Sequence, residues 1–138
     1  MPRVLRIVLA CLAIALLGTQ AVLAGSPHFV GDISITRSGN TLTVSGKEAG
    51  LGNETQVHIV VTATAECINP GSKKPQAANK ESVSAEGDFP VQNGKANFSL
   101  TVTATFQPDC TPPMTLQFVD VTVADVDHGI SVSFPGPF

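Results

Sequence analysis

The 138-residue sequence predicts an all-β fold: a two-sheet antiparallel sandwich of about seven strands with immunoglobulin-like architecture, preceded by a signal peptide. Beyond the first 24 residues, apolar side chains alternate with Ser, Thr and charged residues, which is typical of strands with one buried face. Turn residues separate the alternating runs at fairly regular spacing, as in small sandwich domains. The tryptophan and the tyrosine corner of true immunoglobulin domains are absent, because the chain contains no Trp and no Tyr.

The start of the chain has the pattern of an export signal. A positively charged segment precedes the apolar run of residues 7–17, and small residues follow that suit cleavage after Ala24. The apolar run is shorter than the roughly 20 residues that a membrane-spanning helix needs, although an uncleaved anchor is the alternative. We therefore expect a signal peptide over residues 1–24 and a single secreted domain over residues 25–138, in the periplasm or outside the cell and detached from the membrane.

The charge of the predicted domain excludes some partners. The signal contains two of the eight basic residues and none of the eleven acidic ones, which leaves a net charge of about −5. Nucleic-acid binding requires clustered Lys and Arg that neutralise phosphates, so we expect no nucleic-acid partner. The same charge disfavours attachment to an anionic membrane.

The first three predicted strands follow from alternation on both sides of a tight turn at Asn40 and from one long apolar run. Residues 32–37 and 41–47 alternate around that turn and are expected to pair as a hairpin. Residues 55–67 form the longest strand, in which Cys67 has the same parity as the apolar residues. Its side chain is therefore expected on the core side of the sheet.

The remaining four strands are separated by a strong hairpin signal and an irregular segment. Asn93-Gly94 suits the positive φ angles of a type I′ turn and joins the fourth strand to the fifth. In the sixth strand the apolar parity changes near Phe118, which predicts a β-bulge there. These four strands cover residues 80–91, 95–106, 114–123 and 130–134.

Two cysteines remain after the predicted cleavage, Cys67 and Cys110. An even number of cysteines in an oxidising compartment predicts a disulfide. Two free thiols or a metal-binding pair are the alternative, but no His or third Cys lies nearby at ligand spacing. If successive strands alternate in direction, the third and fifth strands end at one pole, where the two cysteines can meet.

This pole is the predicted binding surface, because the bridge would hold the irregular segments 68–79 and 107–113 side by side. Long loops in compact domains are more often functional, and their prolines reduce the entropy lost on binding. We expect the opposite pole to carry the turns around Asn40 and Asn93. The candidate binding residues are Asn69, Lys73, Lys74 and Asp109.

A local resemblance supports export. The segment from Cys67 to Gly71 has the pattern Cys-x-Asn-Pro-Gly and resembles a loop in small secreted bacterial β-domain proteins of uncharacterised function. The resemblance covers this loop region and the later Cys110. It implies a bacterial exported protein and brings no activity with it.

The motifs do not indicate an enzyme. His28, His58 and His128 belong to no recognisable catalytic pattern, and no nucleophile elbow is present. We therefore expect a module without catalytic residues or cofactor that binds an unknown protein or cell-surface partner or serves as a scaffold. A small secreted hydrolase is a less favoured alternative.

The other alternative is a calcium-binding module. Carboxylates around a turn suit a hard cation, and the candidate ligands are Asp120, Asp125 and Asp127. Their spacing matches no EF-hand loop, and acidic residues beside a β-turn are usually solvated.

Overall fold

The computed structural model describes residues 25–71 and 79–138. The predicted signal peptide, Lys73 and Lys74 lie outside these residues. Within them, no helix is long and apolar enough to cross a membrane. The strands are β1 (His28–Ser38), β2 (Thr41–Ala49), β3 (Gln56–Ile68), β4 (Lys80–Pro90), β5 (Ala96–Thr103), β6 (Thr115–Asp125) and β7 (Ile130–Phe134).

The seven strands form two antiparallel sheets that pack as a sandwich, which confirms the predicted fold class. The first sheet has the order β1-β2-β5 and the second has the order β4-β3-β6-β7. This is an immunoglobulin-like arrangement in which the fourth strand pairs with the third rather than with the fifth. The β4–β5 connection therefore passes from one sheet to the other.

The core lies between the sheets and consists of the apolar side chains that the period-2 alternation points inward. Phe118 is the largest fully buried side chain. Phe98 of β5 packs edge-on against Phe29 and Phe89, with ring centroids 5.9 and 6.3 Å apart. Gly46 makes room for this cluster, since a Cβ there would lie 2.7 Å from the Phe98 ring. The largest fully buried aliphatic residues are Leu42, Val44, Val57, Ile59, Val61, Val102, Val121 and Val123.

The predicted bulge is present in β6. Phe118 still pairs with Ala65, and the register with β3 changes just beyond it, around Asp120. Asp120 has a φ of 52°, an uncommon conformation for a residue other than glycine. The extra residue reverses the parity, so that Val121 and later odd-numbered residues point into the core.

Several strand ends differ from the prediction. β1 begins at His28, four residues early, because residues 28–30 pair with residues 47–49 at the end of β2. β5 ends at Thr103 rather than at residue 106. Just beyond Thr103, Asn40 provides the hydrogen-bond partners of the backbone. The Asn40 carbonyl accepts from the Ala104 N–H at 2.9 Å, and its side-chain amide donates to the Ala104 carbonyl at 3.1 Å.

Candidate functional site

The disulfide pole is the end of the sandwich where Cys67, at the end of β3, is bonded to Cys110 in the β5–β6 connection. Their Cα atoms are 5.7 Å apart, which confirms the predicted bridge. Cys67 is only 4% exposed, as expected for a residue on the core side. The bond therefore fixes the end of β3 beside the β5–β6 connection.

The structure places two of the predicted binding residues at this pole. Asn69 is exposed, and its side-chain oxygen accepts the Gly71 N–H at 3.2 Å. Asp109 is exposed and lines a groove with Phe106 and Leu116, both half-buried. Lys73 and Lys74 lie outside the described residues.

The prediction that the Asn40 turn lies at the opposite pole is wrong. Asn40 lines the same groove as Cys110 and is hydrogen-bonded to Ala104, just beyond β5. The reason is the pairing of Thr41 with Thr103, which brings the start of β2 to the end of β5. The Asn93 turn does lie at the other end, because it directly precedes β5.

An acidic cluster of Glu48, Glu54, Asp125 and His128 lies at the pole opposite the disulfide. In β6, Leu116 lies near the start of the strand and pairs with Cys67, whereas Asp125 is the last residue. Asp125 therefore lies at the end of the strand away from the disulfide. Glu48 stands near the end of β2, in the other sheet.

Glu48 and Asp125 are both 0% exposed. Glu48 has the parity of Leu42 and Val44, while Asp125 has the parity of Val121 and Val123. Each strand therefore points a carboxyl group into the space between the sheets, at a position where the alternation would otherwise place an apolar side chain.

His128 joins the buried and the exposed parts of the cluster. Its Nδ1 lies 2.6 Å from Asp125 Oδ2, and its Nε2 lies 2.8 Å from Glu54 Oε2. The backbone N–H of His128 donates to Asp125 Oδ1 at 3.2 Å, which fixes the carboxylate relative to the turn. The His128 side chain is 20% exposed and that of Glu54 is 44% exposed, so this side of the cluster faces solvent.

Glu48 has no comparable partner, since neither of its carboxyl oxygens accepts a hydrogen bond from a donor. Burial, followed by the neighbouring Asp125, raises the pKa of Glu48 to about 8. A protonated Glu48 is able to donate to the Asp125 carboxylate. The Glu48 carboxyl, one Asp125 oxygen and one His128 ring nitrogen all lie within 4.8 Å of one another.

The pKa of His128 reflects opposing effects. Burial of the ring disfavours its charge and lowers the pKa, but the hydrogen bond and negative charge of Asp125, together with Glu54, outweigh it. The net result is a pKa above the ordinary value for histidine.

Of the three predicted calcium ligands, only Asp125 belongs to this cluster. Asp120 is exposed in the β6 bulge, beside Thr62 and Thr64 of β3, and Asp127 is exposed in the turn after β6. Sequence reasoning missed Glu48, Glu54 and His128 as partners of Asp125. The available signal was an acidic residue at an apolar-parity position near the end of each of two strands.

A second histidine–carboxylate group lies on the outer face of the second sheet. His58 of β3 contacts Glu86 Oε2 at 2.9 Å and Asp88 Oδ1 at 2.7 Å, both in β4. The hydrogen bonds to Glu86 and then Asp88 raise the pKa of His58 above its ordinary value. The His58 side chain is 34% exposed, whereas Glu48 is fully buried.

No protein-family model matches the chain, and no curated protein or solved structure is significantly similar to it. The class that the fold and the two poles define is a disulfide-closed, immunoglobulin-like β-sandwich with a buried carboxylate–histidine cluster.

Proposed function

We propose that the protein is an exported, non-enzymatic β-sandwich module that binds a protein or cell-surface partner through the disulfide pole. The observation that carries this proposal is the bond between Cys67 and Cys110, which fixes the end of β3 beside the connection that follows β5. Structural disulfides persist in oxidising compartments, so the bond also supports secretion. A purely structural scaffold with the same stapled loops is the second candidate.

The chemistry around the bridge supports binding over a scaffold role alone. The groove beside Cys110 combines half-buried Phe106 and Leu116 with the exposed carboxylate of Asp109. Apolar area with a few polar groups is the usual composition of a recognition surface. The disulfide fixes Cys110 within this connection, so binding orders little additional chain.

Capture of the partner from the extracellular fraction of the source organism tests this proposal. The immobilised protein should retain a specific partner, and Asp109→Ala should weaken its retention while the melting temperature stays within a few degrees of wild type. Lys73→Ala combined with Lys74→Ala applies the same test to the predicted residues outside the described part. Lys95→Ala removes an exposed lysine beyond the Asn93 turn, at the other pole, and is the matched control.

Two results would contradict the proposal. In the first, partner retention is unchanged by Asp109→Ala and by the Lys73 and Lys74 double variant but lost in Lys95→Ala. That result would place the binding surface at the opposite pole. Hydrolysis of ester, peptide or glycoside substrates by the purified protein would contradict its non-enzymatic character. Export is checked separately, since the intact mass of the secreted protein should correspond to a chain that begins at Gly25.

A further inference from the structure

The acidic cluster contains a buried carboxyl group to which no donor of the described residues forms a hydrogen bond. Glu48 is 0% exposed, both of its oxygens lack a hydrogen-bond donor, and its neighbour Asp125 is a second fully buried carboxyl. Burying a carboxylate without a compensating charge or hydrogen bond is costly, and placing a second one beside it adds repulsion. A bound cation would satisfy both groups at once.

We propose that Glu48, Asp125 and His128 form a binding site for one divalent transition-metal ion of the Zn²⁺ type. Carboxylate oxygens and imidazole nitrogens are common Zn²⁺ ligands. The three residues come from the end of β2, the end of β6 and the turn that follows β6, and one ligand atom from each lies within 4.8 Å of the other two. The site lies at the pole opposite the proposed partner-binding surface and is independent of that proposal.

The orientation of His128 supports this assignment. Glu54 lies 2.8 Å from His128 Nε2 and is positioned to accept the proton of that nitrogen. A metal ion that binds at Nδ1 displaces the proton between Nδ1 and Asp125, and that proton is released to solvent. A metal-binding histidine usually donates its other N–H to a carboxylate or carbonyl group, which fixes the ring and strengthens the ligand. Glu54 is therefore a positioning residue for His128.

The Asp125 carboxylate is oriented in the same way. Its Oδ1 accepts the backbone N–H of His128 at 3.2 Å, which leaves Oδ2 facing the Nδ1 atom at 2.6 Å. Ligands that surround Zn²⁺ tetrahedrally at about 2.0 to 2.1 Å lie about 3.3 Å from one another. For all three residues to coordinate one ion, the Asp125–His128 pair must open slightly and the Glu48 carboxyl must move closer to that pair.

The ligand set distinguishes between ions. Ca²⁺ takes six to eight oxygen ligands, and Mg²⁺ retains several waters in an octahedral shell. Two carboxylates with one imidazole suit Zn²⁺, which accepts three protein ligands and a water in its fourth position. The His128 side chain is 20% exposed, so the cluster reaches solvent on this side.

Direct metal titration tests the site. The purified protein, stripped with EDTA and dialysed, is titrated with Zn²⁺ by calorimetry or in competition with a chromophoric chelator. We expect one Zn²⁺ per chain, and tighter binding of Zn²⁺ than of Ca²⁺. Loss of an outer-shell partner typically weakens metal binding about 10- to 100-fold, which we expect for Glu54→Gln, and removal of the ligand in Glu48→Gln should weaken it by at least about 100-fold.

Two control variants distinguish Zn²⁺ binding at this site from unspecific Zn²⁺ binding by other carboxylates and histidines. Glu66→Gln changes another buried glutamate, one that accepts a hydrogen bond from Gln117 at 2.9 Å near the disulfide pole. His58→Gln changes a histidine between two carboxylates on the outer face of the second sheet. Zn²⁺ affinity should be unchanged in both variants.

Folding is separated from binding by thermal melting with and without Zn²⁺. Glu48→Gln keeps the side-chain shape and replaces the buried carboxyl group by a neutral amide that can donate to Asp125, so the metal-free variant should melt no lower than wild type. Zn²⁺ should raise the melting temperature of wild type and leave that of Glu48→Gln unchanged, since an ion stabilises only the state that binds it. Three results would overturn the proposal: Zn²⁺ binding by wild type weaker than about 1 mM, equal affinity in wild type and Glu48→Gln, or tighter binding of Ca²⁺. If wild type binds Zn²⁺ that weakly, Glu48 and Asp125 share a proton instead of a metal ion.

Discussion

Removal of the Cys67–Cys110 bond should cost a large share of the stability of the fold. The cysteines are 43 residues apart in sequence, and the chain-entropy model assigns about 4 kcal/mol at 25 °C to a loop of that length. Cys67→Ala also removes a buried sulfur from a site that is 4% exposed, which adds about 1 kcal/mol. Because domains are typically stable by about 5 to 15 kcal/mol, Cys67→Ala with Cys110→Ala should leave a small margin.

Urea denaturation at 25 °C, followed by circular dichroism, measures this loss. The free energy of unfolding of oxidised wild type should exceed that of the double variant by about 4 to 5 kcal/mol. The free energy of unfolding of reduced wild type should differ from that of the variant by less than about 1 kcal/mol. The m value should rise when the bond is absent, because the unfolded chain is then less compact. A double variant within about 1 kcal/mol of the oxidised protein would refute the reasoning. Reactive thiols in folded, oxidised protein would show that the bond is absent.

Two further predictions concern a close backbone approach and a surface histidine. Gly50 has a φ of 77°, and a Cβ there would overlap the backbone of Ser26, whereas Gly39 has a φ of 59° and open space around it. Gly39→Ala should therefore lower the free energy of unfolding only by the backbone strain of about 1 to 2 kcal/mol, and Gly50→Ala should lower it clearly more. Equal losses of the two variants in urea denaturation would disprove the close approach of Gly50 to Ser26. The pKa of His58 is raised in the folded protein. Its ion pairs therefore stabilise the fold fully when the pH is below the His58 pKa of the unfolded chain, and this stabilisation is lost as the pH rises through the His58 pKa of the folded protein. In NMR titration, Glu86→Gln should lower the His58 pKa toward its ordinary value, and an unchanged pKa would contradict the assigned cause.

The fold class was predictable because burial on one face of a strand leaves a local record in the sequence. All seven predicted strands are present, and the parity change in β6 located the bulge to within two residues of Asp120. Strand ends were less predictable, since they depend on hydrogen bonds to another strand. β1 extends to His28 only because residues 47–49 provide partners for residues 28–30.

The candidate site could be predicted only in part. The cysteine pairing followed from strand direction, but the position of the Asn40 turn required knowledge that β2 pairs with β5. Contact between Glu48 and Asp125 depends on two strands from different sheets ending at the same pole, which no local pattern records. The predicted strands ended at residues 47 and 123, just before these two acids, so their parity was not considered and only the structure shows that they share one site.

The two ends of the sandwich are closed by different means, and this difference separates the two proposals. At the disulfide pole a covalent bond joins the end of β3 to the β5–β6 connection. At the other pole two carboxyls occupy core positions, where apolar side chains of similar size would generally be no less stable. Glu48 therefore does not follow from the needs of the fold. A bound cation accounts for its burial, its lack of a donor and the placement of Glu54 behind His128 together, whereas a shared proton accounts only for the first two. Because the sites lie at opposite poles, a variant that abolishes Zn²⁺ binding should leave partner capture unchanged, and Asp109→Ala should leave Zn²⁺ affinity unchanged.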